Sequence, residues 1–256
     1  MELSRLETED LNWCVKRLPE EVKNLMKANP GKLVLAGGYI RSRIANEQVN
    51  DIDLFSPSQM SAAQWAHELV GAKMPASTEQ EVRLGMINVH TKVHKTDNAY
   101  SVRLKSGMFV QFIHRWTFDS PEKIVPSFDF TIAQAAMWFG RHHTDDSKVF
   151  VKVEPCWTSL CSTRFYPDLA AKRLVYTQPI RNEDAGGSML RVLKFYQRGY
   201  RITLPSLSEV IARLVDDINW EDIAKSSELN NTRNEVQAAH VICGLLREVD
   251  PNTPID

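Results

Sequence analysis

The stretch that most constrains the fold runs from Leu33 to Phe55. It reads Leu33-Val-Leu-Ala-Gly-Gly-Tyr-Ile-Arg-Ser-Arg43 and then, after a short spacer, Asp51-Ile-Asp-Leu-Phe55. An apolar run entering paired glycines predicts a buried strand, a tight turn and a helix, and the alternation that follows predicts a second strand. Side chains on a strand alternate with a period of two, so Asp51 and Asp53 share one face while Ile52 and Leu54 share the other. Two carboxylates side by side repel each other, and a divalent cation between them removes that repulsion. Gly37 and Gly38 carry no side chain, so their backbone can come close to phosphate oxygens near a helix N-terminus. Alone, a glycine pair is usually a turn and an Asp-x-Asp a solvated strand end. In this order on strand, helix and strand they point to phosphoryl-group chemistry.

With 256 residues and 43% hydrophobic content, the chain is long enough for one domain or two small ones with a sizeable core. No apolar run reaches membrane-span length, and the polar, acidic opening residues are unlike a secretory signal, so a cytoplasmic location without membrane association is expected. Cys14, Cys156, Cys161 and Cys243 are scattered and are expected to stay reduced. A net charge of −1 argues against sequence-blind binding to nucleic acid over the whole surface. A local basic stretch remains: from Arg164 to Arg201, eight basic residues face three acidic ones, about +5, whereas Ile202 to Asp256 carries about −6.

The coarse reading is an amphipathic helix from Thr8 to about Ala28 broken near Pro19, a strand at Lys32–Ala36, a helix from Tyr39 to about Asn46 and a strand at Asp51–Phe55. A helix capped by Ser56 or Ser58 follows, with Ala62, Trp65, Ala66, Leu69 and Val70 facing inward. Strands are expected at Met86–Val89, Thr91–His94, Ala99–Leu104 and Phe109–Ile113, the last two as a hairpin. Phe128–Phe139 reads as leading into an apolar helix, and Lys148–Val153 as a last strand. The expected division is therefore a head at residues 1–153 and a helical region at 154–256. In the helical region Met189, Leu190, Leu193 and Phe195 share one helix, Leu207, Val210, Ile211 and Leu214 the next, and Val236 to Leu246 the last.

Two further segments complete a recognisable order: Ser127-Phe-Asp-Phe-Thr-Ile-Ala-Gln134 and Leu190-Arg-Val-Leu-Lys-Phe-Tyr-Gln-Arg-Gly-Tyr200. With Gly37-Gly38-Tyr39-Ile40-Arg41-Ser42 and Asp51-Ile-Asp53, the chain resembles the DNA polymerase beta-like nucleotidyltransferase superfamily over about residues 32–202. Within it the likeness is to the head and neck of CCA-adding tRNA nucleotidyltransferases and poly(A) polymerases. The resemblance implies an α+β fold, a mixed-sheet head with flanking helices followed by a helical neck. It also implies an enzyme that uses Mg²⁺ or Mn²⁺ to transfer a nucleoside monophosphate from a nucleoside triphosphate to a hydroxyl. Asp51 and Asp53 would hold the metal, Asp129 would join them as a third catalytic carboxylate, and Gly37, Gly38, Arg41, Arg191, Lys194 and Arg198 would bind the nucleotide. RNA, with a tRNA 3′ end as first choice, is the implied acceptor.

Three departures bear on mechanism. Gln111 stands where the superfamily commonly has a third carboxylate, and an amide is a weaker cation ligand and no base. Ser188 falls where the CCA-adding enzymes have a base-reading arginine, so CCA addition itself is not expected. Ser42 replaces the aspartate of the glycine motif. Alternatives are thus a nucleotide- or RNA-binding protein that has lost catalysis, or a toxin-antitoxin type transferase that modifies another macromolecule. His142-His143 with Asp145-Asp146 is read as a turn rather than a metal site, Asp129 alternatively as a helix cap, and Trp65, Trp116, Trp138 and Trp157 as core.

Overall fold

The structure, a computed structural model, describes residues 1–72, 92–140, 155–177, 185–216 and 218–249. It divides into two compact units: Met1–Pro126 with Ala133–Phe165, and Ser127–Ile132 with Tyr166–Asp256. The first unit contains β1 (Leu3–Ser4), α1 (Thr8–Arg17), α2 (Glu20–Ala28), β2 (Val34–Ala36), α3 (Gly38–Ile44), β3 (Asp51–Phe55) and α4 (Gln59–Leu69). After these come β4 (Val93–Lys95), β5 (Ala99–Arg103), β6 (Phe109–Ile113), α5 (Pro121–Ile124), β7 (Ala135–Gly140) and β8 (Cys156–Ser162). The strands form an eight-stranded sheet in the order β1-β8-β7-β2-β3-β6-β5-β4. Its β3–β6 pair is parallel and its other pairs are antiparallel.

Local chemistry accounts for most of these elements. Proline lacks a backbone N–H and is tolerated only at the start of a helix. Pro19 accordingly sits at the N-cap of α2, and the expected single helix becomes α1 and α2. Ser58 caps α4 by accepting the Ser61 N–H at 3.1 Å, and Ala62, Trp65 and Ala66 face the core while Leu69 and Val70 are half-buried. The β5–β6 hairpin closes over Lys105–Gly107, with Leu104 N–H donating to Met108 O at 2.9 Å. Ile52, Leu54, Leu35 and Phe112 have no solvent exposure, because the inward face of each strand is covered by helices. Of these, α4 packs on β5 and β6, and α3 on β2, β3 and β7.

Two expectations are corrected. Phe128–Phe139 does not enter an apolar helix: a 3₁₀ turn at Thr131–Ala133 leads into β7, which lies between β2 and β8. A strand buried on both faces loses the polar alternation that marks a strand, so its sequence reads like that of a buried helix. The sheet also continues past Val153, because β8 pairs along the whole of β7, from Ala135 opposite Cys161 to Gly140 opposite Cys156. The strands expected at Met86–Val89 and Lys148–Val153, and the histidine pair at 142–143, lie outside the described residues.

The second unit contains α6 (Phe165–Ala170, whose first residue closes the first unit), β9 (Arg173–Leu174), α7 (Ala185–Gln197), β10 (Arg201–Ile202), α8 (Leu204–Asp216), α9 (Trp220–Asn230) and α10 (Asn234–Val249). Its core is aromatic: Phe130 lies 5.7 Å from Tyr176 and 6.2 Å from Phe195, which lies 5.5 Å from Tyr200. Tilted and edge-on contacts of this kind suit the ring quadrupoles. Among the described residues no helix is long and apolar enough to cross a membrane.

Candidate active site

The glycine turn is built by backbone geometry. Gly37 has φ 82° and ψ −127°, a conformation that a side chain would oppose, and it is the N-cap residue of α3. Its N–H donates to Ala135 O at 2.9 Å. That N–H is therefore committed to β7 and not to a phosphate, which corrects one part of the expectation for this residue. Gly38 opens α3, and a Cβ built there would lie 3.8 Å from Nη2 of Arg41, in ordinary contact with the guanidinium. Arg41 is buried. Its Nη2 donates to Ser42 Oγ at 3.0 Å and its Nε lies 3.6 Å from Glu47 Oε2.

The carboxylates lie on the adjacent strand. β2 and β3 are antiparallel, with Leu35 opposite Leu54, so the Asp51 end of β3 lies beside the Gly37 end of β2. Asp51 and Asp53 are half-buried, whereas Ile52 and Leu54 are fully buried, as the alternation requires. In the parallel register of β3 with β6, Asp53 faces Gln111. Gln111 Nε2 donates to Asp51 Oδ2 at 3.4 Å. The amide supplies a hydrogen bond to the pair where a third acid would have added a charge.

These donors suit a hard cation. Mg²⁺ is commonly held by one or two carboxylates, with water and substrate phosphates completing its shell, and Asp51 and Asp53 offer that oxygen set. Among the described residues no cluster of three or more His, Cys, Asp or Glu side chains exists. The remaining ligands would therefore be an amide oxygen, water or phosphate.

The other residues expected at the site belong to the second unit. Asp129 is 3% exposed, and its Oδ2 accepts a hydrogen bond from Ser188 Oγ at 2.9 Å and is paired with Arg191. Ser188 and Arg191 are three residues apart and so share a face of α7, which lets both reach one carboxylate. This spacing is readable in the sequence, but its partner Asp129, 59 positions from Ser188, is not. Asp129 therefore caps no helix here and is held by an arginine, while Arg191 is engaged by a carboxylate. Lys194 is exposed and Arg198 half-buried. Thr131 Oγ1 donates to Asp168 Oδ2 at 2.7 Å, and Asp168, fully buried, also pairs with Arg173 at 2.7 Å.

The four cysteines are free, with Cys14 and Cys161 buried and Cys156 and Cys243 exposed. Burial pushes the Cys14 thiol up to about 12 and the Tyr39 hydroxyl, which donates to Cys14 O at 3.0 Å, also to about 12. Both groups are neutral packing elements where α3 meets α1. Of the tryptophans, Trp65 and Trp138 are buried and Trp116 and Trp157 half-buried.

Several known proteins are similar to this one. Among solved structures, a Thermotoga maritima CCA-adding enzyme complexed with tRNA aligns at TM-score 0.52 and 17% identity, over 100% of this chain and 58% of that one. A CCA-adding enzyme in complex with CTP aligns at TM-score 0.52 and 16% identity, over 100% of this chain and 57% of that one. At that identity the likeness establishes the fold alone: the α+β fold of the CCA-adding enzymes, as the motif order implies. A curated relative from Bacillus phage SPbetaL7, described as Gabija anti-defense 2, is 25% identical over 199 residues, which is 78% of this chain and 41% of the relative. The chain thus spans less than half the length of that relative and less than two thirds of those enzymes. A family model described as Gad2, Gabija anti-defense 2 family protein, matches residues 5–172, well over half of the chain. The chain combines a nucleotidyltransferase fold with that match, and it belongs to the Gabija anti-defense 2 family.

Proposed function

We propose that this protein is a metal-dependent nucleotidyltransferase whose activity serves to counter the Gabija defence. The observation that carries this reading is the placement of Asp51 and Asp53 on one face of β3 beside the Gly37–Gly38 turn. Asp51 and Asp53 would hold Mg²⁺ or Mn²⁺, and that ion would supply charge to screen the triphosphate and acidify the acceptor hydroxyl. Arg41, whose guanidinium lies beside Gly38 at the start of α3, supplies positive charge. The acceptor oxygen attacks the α-phosphorus and pyrophosphate leaves, a reaction that asks of the protein mainly positioning and charge neutralisation. In the second unit, Lys194 and Arg198 add positive charge for an acceptor backbone. RNA is the acceptor we favour, supported by the basic composition of residues 164–201 and by the tRNA bound to a fold neighbour.

The test is incubation of the purified protein with Mg²⁺ or Mn²⁺, each α-labelled nucleoside triphosphate, and total RNA plus protein. Label should enter a product with the wild type and be absent with Asp51→Ala/Asp53→Ala. Plating of phage on a Gabija-carrying host that expresses either form then links the chemistry to the family role. A second reading, a nucleotide- or RNA-binding protein without turnover, is favoured by one observation: Gln111 donates to Asp51 where a third acid would serve a second cation. Nucleotide binding without label transfer under any condition would establish that reading.

A further inference from the structure

On α7 of the second unit, Tyr196 is 56% exposed and Leu193, one turn earlier, 54% exposed. The expected apolar face of that helix therefore does not include Leu193. The Arg201 guanidinium lies 4.1 Å from the centre of the Tyr196 ring. Arg201 Nη1 donates to Tyr200 O at 2.8 Å, which holds the planar group in place. The Arg201 N–H donates to Lys172 O at 2.9 Å, joining the strand to the turn after α6. Lys172 has φ 47°, a left-handed conformation favoured by glycine. That turn sets its ammonium 5.9 Å from the centre of the Tyr200 ring, beside Gly199.

Between residues 169 and 177, and between 185 and 208, every charged residue is basic. Asp168 and Asp129 pair with Arg173 and Arg191, while Lys172 and Arg201 stand at exposed positions. An exposed aromatic ring stacked with a guanidinium offers a flat, cationic surface to the face of a base, and a lysine beside it suits a phosphodiester. A duplex hides its base faces; a single strand presents them.

We propose that Tyr196 and Arg201 form a stacking platform for single-stranded RNA, with Lys172 at its phosphate. The proposal rests on the RNA acceptor reading above and names the surface that engages it. The test is fluorescence anisotropy with labelled twelve-nucleotide oligo(U) and oligo(A) and a hairpin duplex, in EDTA and without nucleoside triphosphate. Tyr196→Ala should weaken single-strand binding about tenfold or more, and Tyr196→Trp should restore it. Lys172→Ala and Arg201→Ala should each reduce the slope of log affinity against log salt by about 0.7. Melting of each variant at the wild-type midpoint checks that the fold is intact. Tighter binding to the duplex, wild-type affinity in Tyr196→Ala, or no single-strand binding by the wild type overturns the platform. Because EDTA removes the transfer reaction from the measurement, absence of label transfer in Mg²⁺ would count against the transferase reading alone.

Discussion

Asp51 and Asp53 of the first unit sit half-buried side by side on a strand, whereas Asp129 and Asp168 of the second are buried and tied to arginines. Asp51 and Asp53 share one face of β3, and the groups that define them are a neighbouring amide and a glycine turn. Asp129 and Asp168 are 3% and 0% exposed, and each is bound by a hydroxyl and a guanidinium. A buried charge is tolerable only when it is paired and hydrogen-bonded, so the second pair is committed to architecture. Two like charges at partial exposure lower stability slightly and are kept where a cation is to be held. The same residue type thus has two physical roles within one chain.

The largest effect that would sharpen this contrast is in turnover. Asp51→Asn/Asp53→Asn should reduce label transfer at least ~100-fold while leaving the melting midpoint unchanged or raised, since a repulsion is removed. A large fall in the midpoint would instead make these carboxylates structural and break the comparison. Asp168→Ala should behave in the opposite way and cost about 2–3 kcal/mol in urea unfolding. The lower part of the range applies because the Arg173 side chain is 42% exposed and regains water.

Smaller effects separate the two cores. A Cβ at Gly140 would lie 2.9 Å from the Gly31 backbone nitrogen, so Gly140→Ala should cost about 1–3 kcal/mol through overpacking of the β7 end, read by thermal melting. In the second unit Asn219 accepts the Glu221 and Asp222 N–H groups at 3.2 and 3.3 Å, and Asn219→Ala should cost about 1 kcal/mol. A separate effect is on alkaline stability. Burial raises Cys14 from 9.0 to about 12 and Cys161 from 9.0 to about 11, so both thiols must stay protonated in the folded state. The stability they contribute is fully present below pH 9.0 and is lost as the pH rises through 11 and 12, which melts across that range would detect. At pH 8 a thiol reagent should label Cys156 and Cys243 and reach the other two only on unfolding.

Elements whose pattern is local are legible in the sequence. Alternation identifies β3, the turn at Lys105–Gly107 identifies the β5–β6 hairpin, and Pro19 identifies the break between α1 and α2. The strand β7 was not legible as a strand, because it is buried almost throughout and its residues show no polar alternation. The division into units was not legible either, since Ser127–Ile132 joins the second unit while the strand after it belongs to the first. At the candidate site, strand alternation alone places Asp51 and Asp53 together. Nothing local reveals that Gln111 reaches Asp51 from 60 residues away, or that Asp129 meets Ser188 and Arg191.

By itself, the sequence determined the strand, turn, helix and strand at the heart of the first unit and the shared face of its two carboxylates. Both follow from backbone sterics and side-chain periodicity, which act between near neighbours. Only the tertiary structure decided which carboxylates are buried, which arginines neutralise them, and that the Gly37 N–H is given to β7. Those outcomes depend on burial and on partners distant in the chain, and the cost of an unpaired buried charge becomes defined only when the fold has assembled around it.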